Sequence, residues 1–334
     1  MKKPNSPQEQ AAPKRCHVLD LDDFSEGEIQ SVLSDASAMS EILDRDIKKA
    51  PTLRGKSIAT MFMEPSTRTR SSFEQAAKML SADVISIGVS GSSSEKGEST
   101  YNTALTLQAM GIDLIVVRHP LSGTPNFLAK YLNASIINAG DGSHAHPTQA
   151  LLDLYTINSK FGRIRDLRVV IVGDILYSRV ARSNLWGLTK MGAQVVLCGP
   201  RTLIPDDFVA NQHCLDNHPF KTVTVEHSID RAIEGADVVM ALRLQLERQS
   251  AGHLPSLKEY SQMYCVTSER LLVANPDALV MHPGPLNEGV EIDPEVAHGT
   301  KSVIEDQVTN GLAIRMALLY RLIAPTESGV SVSF

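Results

Sequence analysis

The sequence predicts an α/β protein of two domains, each a parallel sheet flanked by helices, with its site in the cleft between them. Three observations carry this reading. A length of 334 residues gives room for roughly two domains of ordinary size. Short β-branched runs alternate with amphipathic helical segments, the pattern of stacked βα units. The unusual polar clusters fall where those runs give way to helices, which is where open parallel sheets bind ligands.

Taken in order, the strand candidates of the first half are Ser57–Met63, Asp83–Gly88, Asp113–Arg118 and Ala134–Asn138. Those of the second half are Arg168–Val172, Gln194–Cys198, Asp237–Ala241 and Ala278–Met281. A pattern break at residues 140–147, Gly-Asp-Gly-Ser-His-Ala-His-Pro, separates the two sets. Pro147 suits the first turn of a helix, and the segment 147–161 reads as a helix bridging the halves with Leu151, Leu154 and Tyr155 on its apolar face. A last helix over 306–323 carries Val308, Leu312, Met316, Leu319 and Ile323 at three- and four-residue steps, the stripe of a docked helix face. Residues 1–16, rich in Pro, Gln and Lys, read as a disordered N-terminal arm without the apolar core of a signal peptide. The expected domains are then 17–146 and 147–305.

Composition excludes several classes. Hydrophobic residues make up 43% and charged residues 21% of the chain, the balance of a soluble globular protein. A net charge of -6 and a pI near 5.9 point away from a nucleic-acid or membrane surface. Any anionic ligand must therefore be held by basic groups clustered locally. Cys16, Cys198, Cys214 and Cys265 stand far apart with no C-x-x-C pair, which argues against structural zinc or a disulfide framework and fits a reducing cytoplasm.

The strongest cluster is Phe62-Met63-Glu64-Pro65-Ser66-Thr67-Arg68-Thr69-Arg70. It follows an apolar strand and enters a helix with Phe73, Ala76, Ala77 and Leu80 on one face. With Ser66 as N-cap, the next N–H groups point outward beside the positive end of the helix dipole. Three hydroxyls and Arg68 complete a phosphate cradle; a well-capped helix with a solvated basic turn fits the same local physics. Ser92-Ser93-Ser94-Glu95-Lys96-Gly97-Glu98 reads in isolation as a solvated polar loop. Arg118 closes the third strand, where a guanidinium calls for a partner or a ligand. His146-Pro147-Thr148-Gln149 opens the bridging helix, and a histidine there is ordinarily a capping or packing residue. Val172-Gly173-Asp174, followed by Ser178-Arg179, looks like a dinucleotide-binding turn but lacks the G-x-G-x-x-G spacing. Arg243-Leu244-Gln245 and His282-Pro283-Gly284-Pro285 follow later strands.

Ser66-Thr67-Arg68-Thr69, preceded by Phe62 and Glu64, resembles the carbamoyl phosphate site of the aspartate and ornithine carbamoyltransferases, and the later motifs match in order from about residue 18 to residue 325. The resemblance implies that Ser66, Thr67, Arg68 and Thr69 hold carbamoyl phosphate. It implies further that Arg118 meets both the phosphate and the carbamoyl oxygen, that His146 donates to the carbamoyl carbonyl, and that Gln149 fixes the carbamoyl nitrogen. Ser92 and Lys96 would enter the site of a neighbouring subunit, making a homotrimer with shared sites. Arg179, Arg243 and Gln245 would grip the carboxylates of aspartate, with Lys96 assisting. The Gly284-Pro285 loop would close on carbamoyl phosphate through the Gly284 carbonyl, across a cis peptide, where many members carry leucine at the glycine. The cysteine and the Ser-Met-Gly turn of the ornithine enzymes are absent, so the resemblance implies L-aspartate as acceptor.

By the same resemblance the helix 306–323 returns to the first domain and no metal or organic cofactor is needed. A dihydroorotase or regulatory-chain partner is open, and members lacking separate regulatory chains are the nearer match. Two other classes compete. An NAD-dependent oxidoreductase would explain the Gly173-Asp174 turn but not the Ser66–Thr69 cradle. A non-catalytic scaffold would keep the fold and lose site residues, whereas here every charged site position is filled.

Overall fold

The computed structural model describes residues 15–88, 99–210, 220–245 and 256–325. The chain opens with α1 (Glu26–Leu43), whose start is fixed by a reciprocal capping box between Ser25 and Glu28. Then come β1 (Ser57–Phe62), α2 (Thr67–Met79), β2 (Asp83–Ile87), α3 (Thr100–Ala109), β3 (Leu114–His119), α4 (Thr124–Tyr131), β4 (Ser135–Asp141) and α5 (Pro147–Phe161). The second half runs β5 (Arg168–Val172), α6 (Arg179–Lys190), β6 (Gln194–Cys198), α7 (Asp206–Ala210), β7 (Val223–Glu226), α8 (Ile229–Ile233), β8 (Val238–Ala241), α9 (Leu257–Tyr264), β9 (Leu279–Met281), α10 (Pro294–Ala297) and α11 (Ile304–Ile323).

Two parallel sheets result, ordered β2-β1-β3-β4 and β7-β6-β5-β8-β9. Each is built around a strand covered on both faces, so β1 and β5 read as nearly continuous apolar runs. The two sheets share one more device. Asp113, just before β3, accepts from Ser57 N at 2.8 Å, and Asp237, just before β8, accepts from Arg168 N at 2.8 Å. In each sheet the carboxylate satisfies the first N–H of the neighbouring central strand, a donor that would otherwise be left over at the start of that strand. Asp113 and Asp237 are expected from the sequence as strand residues; their side chains are used in this way instead.

Further corrections follow. The second sheet has five strands, not the four expected. The additional strand, β7, is short and at the edge, and only Val223 of it is buried, so Val-Thr-Val-Glu lacks the apolar run that marks the others. β4 extends three residues past the expected Asn138, beyond a register shift against β3. Helix α11 begins at Ile304, and its buried surface is wider than the expected stripe: Ala313, Ile314, Ala317 and Leu318 are as covered as Met316 and Leu319, while Val308 is 49% exposed. The reason is that α11 lies among α1, α2 and α5 and is packed on several sides.

α5 is the most enclosed helix among the described residues. Every residue from Pro147 to Ile157 is buried, because α5 packs on α6 in the second half and on α1 and α11. Its approach to α6 depends on Gly187, where an added Cβ would stand 2.7 Å from Leu154 Cδ1. Residues 1–14 of the expected arm lie outside the described residues, while Arg15 pairs with Asp23 and Glu28 at 2.8 and 3.0 Å.

Candidate active site

Every described segment singled out for chemistry leaves the carboxyl end of β1, β3, β4, β5, β8 or β9, and those strands sit side by side within their sheets. The result is one cavity of about 520 Å³ lined by residues of both halves. Its walls include Ser66, Thr67, Arg68 and Thr69 from the β1–α2 turn, Arg118 from β3, and His146 and Gln149 from the start of α5. Arg179 from α6, Arg243 and Gln245 after β8, and Gly284 and Pro285 after β9 close the other side. All the predicted site residues that the structure describes are thus brought together; Ser92 and Lys96 lie outside the described residues.

The α2 N-terminus is built as the local sequence suggests, with one difference. Ser66 is the N-cap, in extended backbone at φ -163° and ψ 93°, but its hydroxyl does not cap the helix. The first-turn N–H groups are therefore left without a side-chain cap beside the cavity that Ser66 to Thr69 line, as an anion site requires. Arg68 stands in the same turn and crosses the cleft to Gly284, at φ 63°. A Cβ at Gly284 would collide with the Arg68 guanidinium, so the glycine supplies both the left-handed backbone and the berth for the arginine. The Gly284-Pro285 peptide is cis. The loop is anchored from behind: Gly284 N donates to His282 Nδ1 at 2.8 Å, and His282 N donates to Gln307 Oε1 at 3.0 Å.

Four arginines, Arg68, Arg118, Arg179 and Arg243, line the cavity; among its described lining residues Glu64 is the one carboxylate. Glu64 accepts from Arg179 Nη1 at 2.9 Å and Nη2 at 3.3 Å, and stands 3.5 Å from Arg118 Nε. Arg179 also donates to Gly142 O at 3.1 Å. Glu64 thus offsets part of the repulsion between two guanidinium groups and holds both toward the cavity. The sequence assigns Glu64 no role of its own, because nothing local to residue 64 reveals that Arg179 will arrive.

His146 is buried, and that burial, with Arg179, Arg118, Arg315 and Arg68 nearby, keeps its pKa well below the ordinary value. It is therefore neutral at pH 7 and holds one ring N–H to give. Its backbone N donates to Ser183 Oγ at 2.9 Å, and Thr148 Oγ1 lies 3.4 Å from Nδ1. Gln149 Nε2 donates at 3.0 Å to Asp153 Oδ1, four residues on along α5. Burial pushes the Asp153 carboxyl up to about 6, against the pull of hydrogen bonds from Asn184, Gln307 and Gln149 and the charge of Arg68.

In the second half, the Gly173-Asp174 turn is occupied by the protein itself. Asp174 accepts from Tyr177 N at 3.0 Å and from Gln245 N at 3.2 Å, so the carboxylate that suggests a dinucleotide turn organises the loop carrying Arg243 and Gln245. Ser178 caps α6 by accepting from Ala181 N at 3.2 Å. Asp153, Asp174 and Gln307 have no part in the site expected from the sequence. A signal for Asp153 is nevertheless present: Leu151-Leu152-Asp153-Leu154 puts a carboxylate inside an apolar helix, and buried carboxylates have partners.

Comparison with known proteins identifies the family. The family model for the aspartate/ornithine carbamoyltransferase carbamoyl-P binding domain matches residues 16–159, and that for the Asp/Orn binding domain matches residues 165–322. The aspartate carbamoyltransferase catalytic subunit of Roseiflexus sp. (strain RS-1) is 58% identical over 310 residues, covering 92% of this chain and 95% of the relative. That of Moorella thermoacetica is 54% identical, covering 93% and 98%. Among solved structures, aspartate transcarbamoylase from Trypanosoma cruzi in complex with N-(phosphonacetyl)-L-aspartic acid superposes with a TM-score of 0.82 at 30% identity, covering 92% of this chain and 96% of that one. Ornithine carbamoyltransferase from Pyrococcus furiosus gives 0.79 at 31% identity, covering 91% and 95%. Two parallel sheets in the matching order of domains, one arginine-lined cleft between them and a match along nearly the whole length lead to one conclusion: the chain belongs to the aspartate/ornithine carbamoyltransferase family.

Proposed function

We propose that the chain is an enzyme that transfers the carbamoyl group of carbamoyl phosphate to the amino group of L-aspartate, giving N-carbamoyl-L-aspartate and phosphate, an early step of de novo pyrimidine biosynthesis. The observation that carries this is the convergence, in a chain of net charge -6, of four arginines and an uncapped helix N-terminus on one cavity. Two anionic substrates repel each other in water, and such a cavity offsets that repulsion while orienting them.

Carbamoyl phosphate lies against the α2 N-terminus, with Ser66, Thr67, Arg68 and Thr69 around its phosphate. The Gly284 carbonyl and Pro285 face its carbamoyl end. L-Aspartate sits toward the second half, its carboxylates on Arg179, Arg243 and Gln245. Two guanidinium groups on that side suit a dicarboxylate and would repel the side-chain ammonium of ornithine. The neutral amine attacks the carbamoyl carbon; a C–N bond forms and the C–O bond to phosphate breaks. Thr69, Arg118 and neutral His146 donate to the oxygen on which negative charge develops, each worth about 3 kcal/mol where well placed. Arg68 and the helix N–H groups receive the charge of the leaving phosphate, which takes up the amine proton, so no separate protein base is called for.

The same reading makes the working unit a cytoplasmic homotrimer, with Ser92 and Lys96 completing the site of a neighbour, and leaves room for a dihydroorotase or regulatory-chain partner. It predicts that Lys96→Ala and Arg68→Ala chains, each inactive, regain activity when dissociated and remixed, to about one site in three per mixed trimer. No recovery with subunit exchange confirmed by native mass spectrometry would place Lys96 in its own chain's site. The reaction itself is tested by phosphate release from carbamoyl phosphate with L-aspartate and, separately, with L-ornithine. Release that depends on aspartate supports the proposal; release only with ornithine, or none, overturns it.

A further inference from the structure

Asp153 is 0% exposed and is held by three amide nitrogens from three helices. Gln149 Nε2 donates to Oδ1 at 3.0 Å, Gln307 Nε2 to Oδ1 at 2.7 Å, and Asn184 Nδ2 to Oδ2 at 2.8 Å. An ionised carboxylate only accepts. The nitrogen end of each side-chain amide must therefore face Asp153, and the oxygen end of each must face away. For Gln307 the consequence is visible, because its Oε1 accepts from His282 N and so fixes the loop that carries Gly284. For Gln149, which lines the cavity, the oxygen is the end left to a ligand.

We infer that Asp153 is a positioning residue that sets the amide sense of Gln149, so that the cavity presents an acceptor at that point and selects a ligand bearing an N–H group over an isosteric one bearing a methyl. The inference rests on the proposed carbamoyl transfer and deepens it: the group selected is the carbamoyl –NH2, and the group rejected is the acetyl –CH3 of acetyl phosphate. The terminal torsion of a glutamine is soft and two-fold, so without a fixed acceptor behind it the amide can turn its nitrogen to the cavity. A methyl against a buried carbonyl oxygen leaves that acceptor without a donor, the situation in which hydrogen-bonding sites discriminate strongly.

The test is binding, so that it stands apart from whether aspartate is carbamoylated. Calorimetry on the full chain gives Kd for carbamoyl phosphate, acetyl phosphate and inorganic phosphate. In Asp153→Asn the preference for carbamoyl over acetyl phosphate falls by at least about tenfold while inorganic phosphate binding changes by less than about twofold. Adding Gln149→Glu to that variant restores an acceptor to the cavity, the amide introduced at position 153 now donating to it, and recovers the preference. An unchanged preference both in Asp153→Asn and in Asp153→Leu, which offers Gln149 no acceptor whichever way it sits, overturns the inference, as does a loss for inorganic phosphate equal to that for carbamoyl phosphate, which would mean general collapse of the site. Should Asp153→Asn not fold, Asp153→Leu carries the test: loss of the preference supports the inference, and a preference kept in full overturns it. Wild-type protein that shows the preference but releases no phosphate with aspartate refutes the reaction and not the role of Asp153.

Discussion

The two halves of the molecule present the same construction at the same place, a strand that turns into a helix at the cleft, yet they finish it differently. At the β1–α2 turn Ser66 occupies the cap position without capping, and the helix N-terminus is left to the cavity. At the β5–α6 turn Ser178 does cap, taking the Ala181 N–H, and the basic group that follows, Arg179, is sent across the cleft to Glu64. An open helix end offers diffuse positive potential and several N–H donors, which fits a tetrahedral phosphate. A guanidinium offers a planar pair of donors, which fits a carboxylate. The difference in capping is thus the structural form of a division of labour between the two proposed substrates.

That comparison can be broken most severely at Arg68. Arg68→Ala should lower kcat by about a thousandfold or more with the fold intact, since the group meets charge that grows in the transition state. Near-normal kcat with an unchanged circular dichroism spectrum would remove the phosphate from the first half. Next in size, Arg243→Ala should weaken aspartate binding by about a hundredfold, the cost of taking one partner from a charged hydrogen-bonded pair, and leave carbamoyl phosphate binding unchanged. Calorimetry showing equal losses for both ligands would end the division of labour. The smallest effect is on the caps themselves. Ser178→Ala should cost about 1 kcal/mol of stability, whereas Ser66→Ala should cost nothing measurable without ligand and should weaken phosphate binding. Denaturant midpoints of the two variants, compared side by side, read this directly.

Stability against pH sharpens the picture from another direction. The folded pKa of His146 is lowered, so the unfolded chain takes up this proton first. Its contribution is present above the ordinary histidine value of about 6.5 and is lost as pH falls below it. Asp153 has the opposite sign: its folded pKa is raised to about 6, so the folded chain takes up the proton first and the cost of burying its charge is relieved as pH falls through 6. His146→Asn removes the first effect and leaves the second. Between pH 7.5 and 5.5, values chosen to bracket about 6.5, wild type should lose stability relative to this variant. Parallel denaturation curves across that range would mean that His146 is not held neutral.

Much of the fold can be read locally. The bridging helix is expected at 147–161 and observed at Pro147–Phe161, because Pro147 marks its first turn and the apolar spacing of Leu151, Leu154 and Tyr155 runs without interruption. β5 and β6 also fall where expected, since a strand buried on both faces announces itself as a β-branched run. β7 escapes such a reading because an edge strand covered at Val223 alone has no such run. The breadth of the α11 contact escapes it because a period counts one face, and α11 is packed on several.

The sequence by itself determined most of the strand-to-helix turns, and therefore which residues stand at the carboxyl ends of the strands that line the cavity. Those are properties of a few consecutive side chains: periodicity, proline at a first turn, a serine before a helix. The tertiary structure alone decided that Arg179 meets Glu64 from 115 residues away, that Ser66 leaves its helix open while Ser178 closes its own, and that Asp153 collects Gln149, Asn184 and Gln307 from three helices. Such meetings depend on sheet order and on which helices share a core, and burial then leaves each polar group no choice but the partner that packing has brought to it.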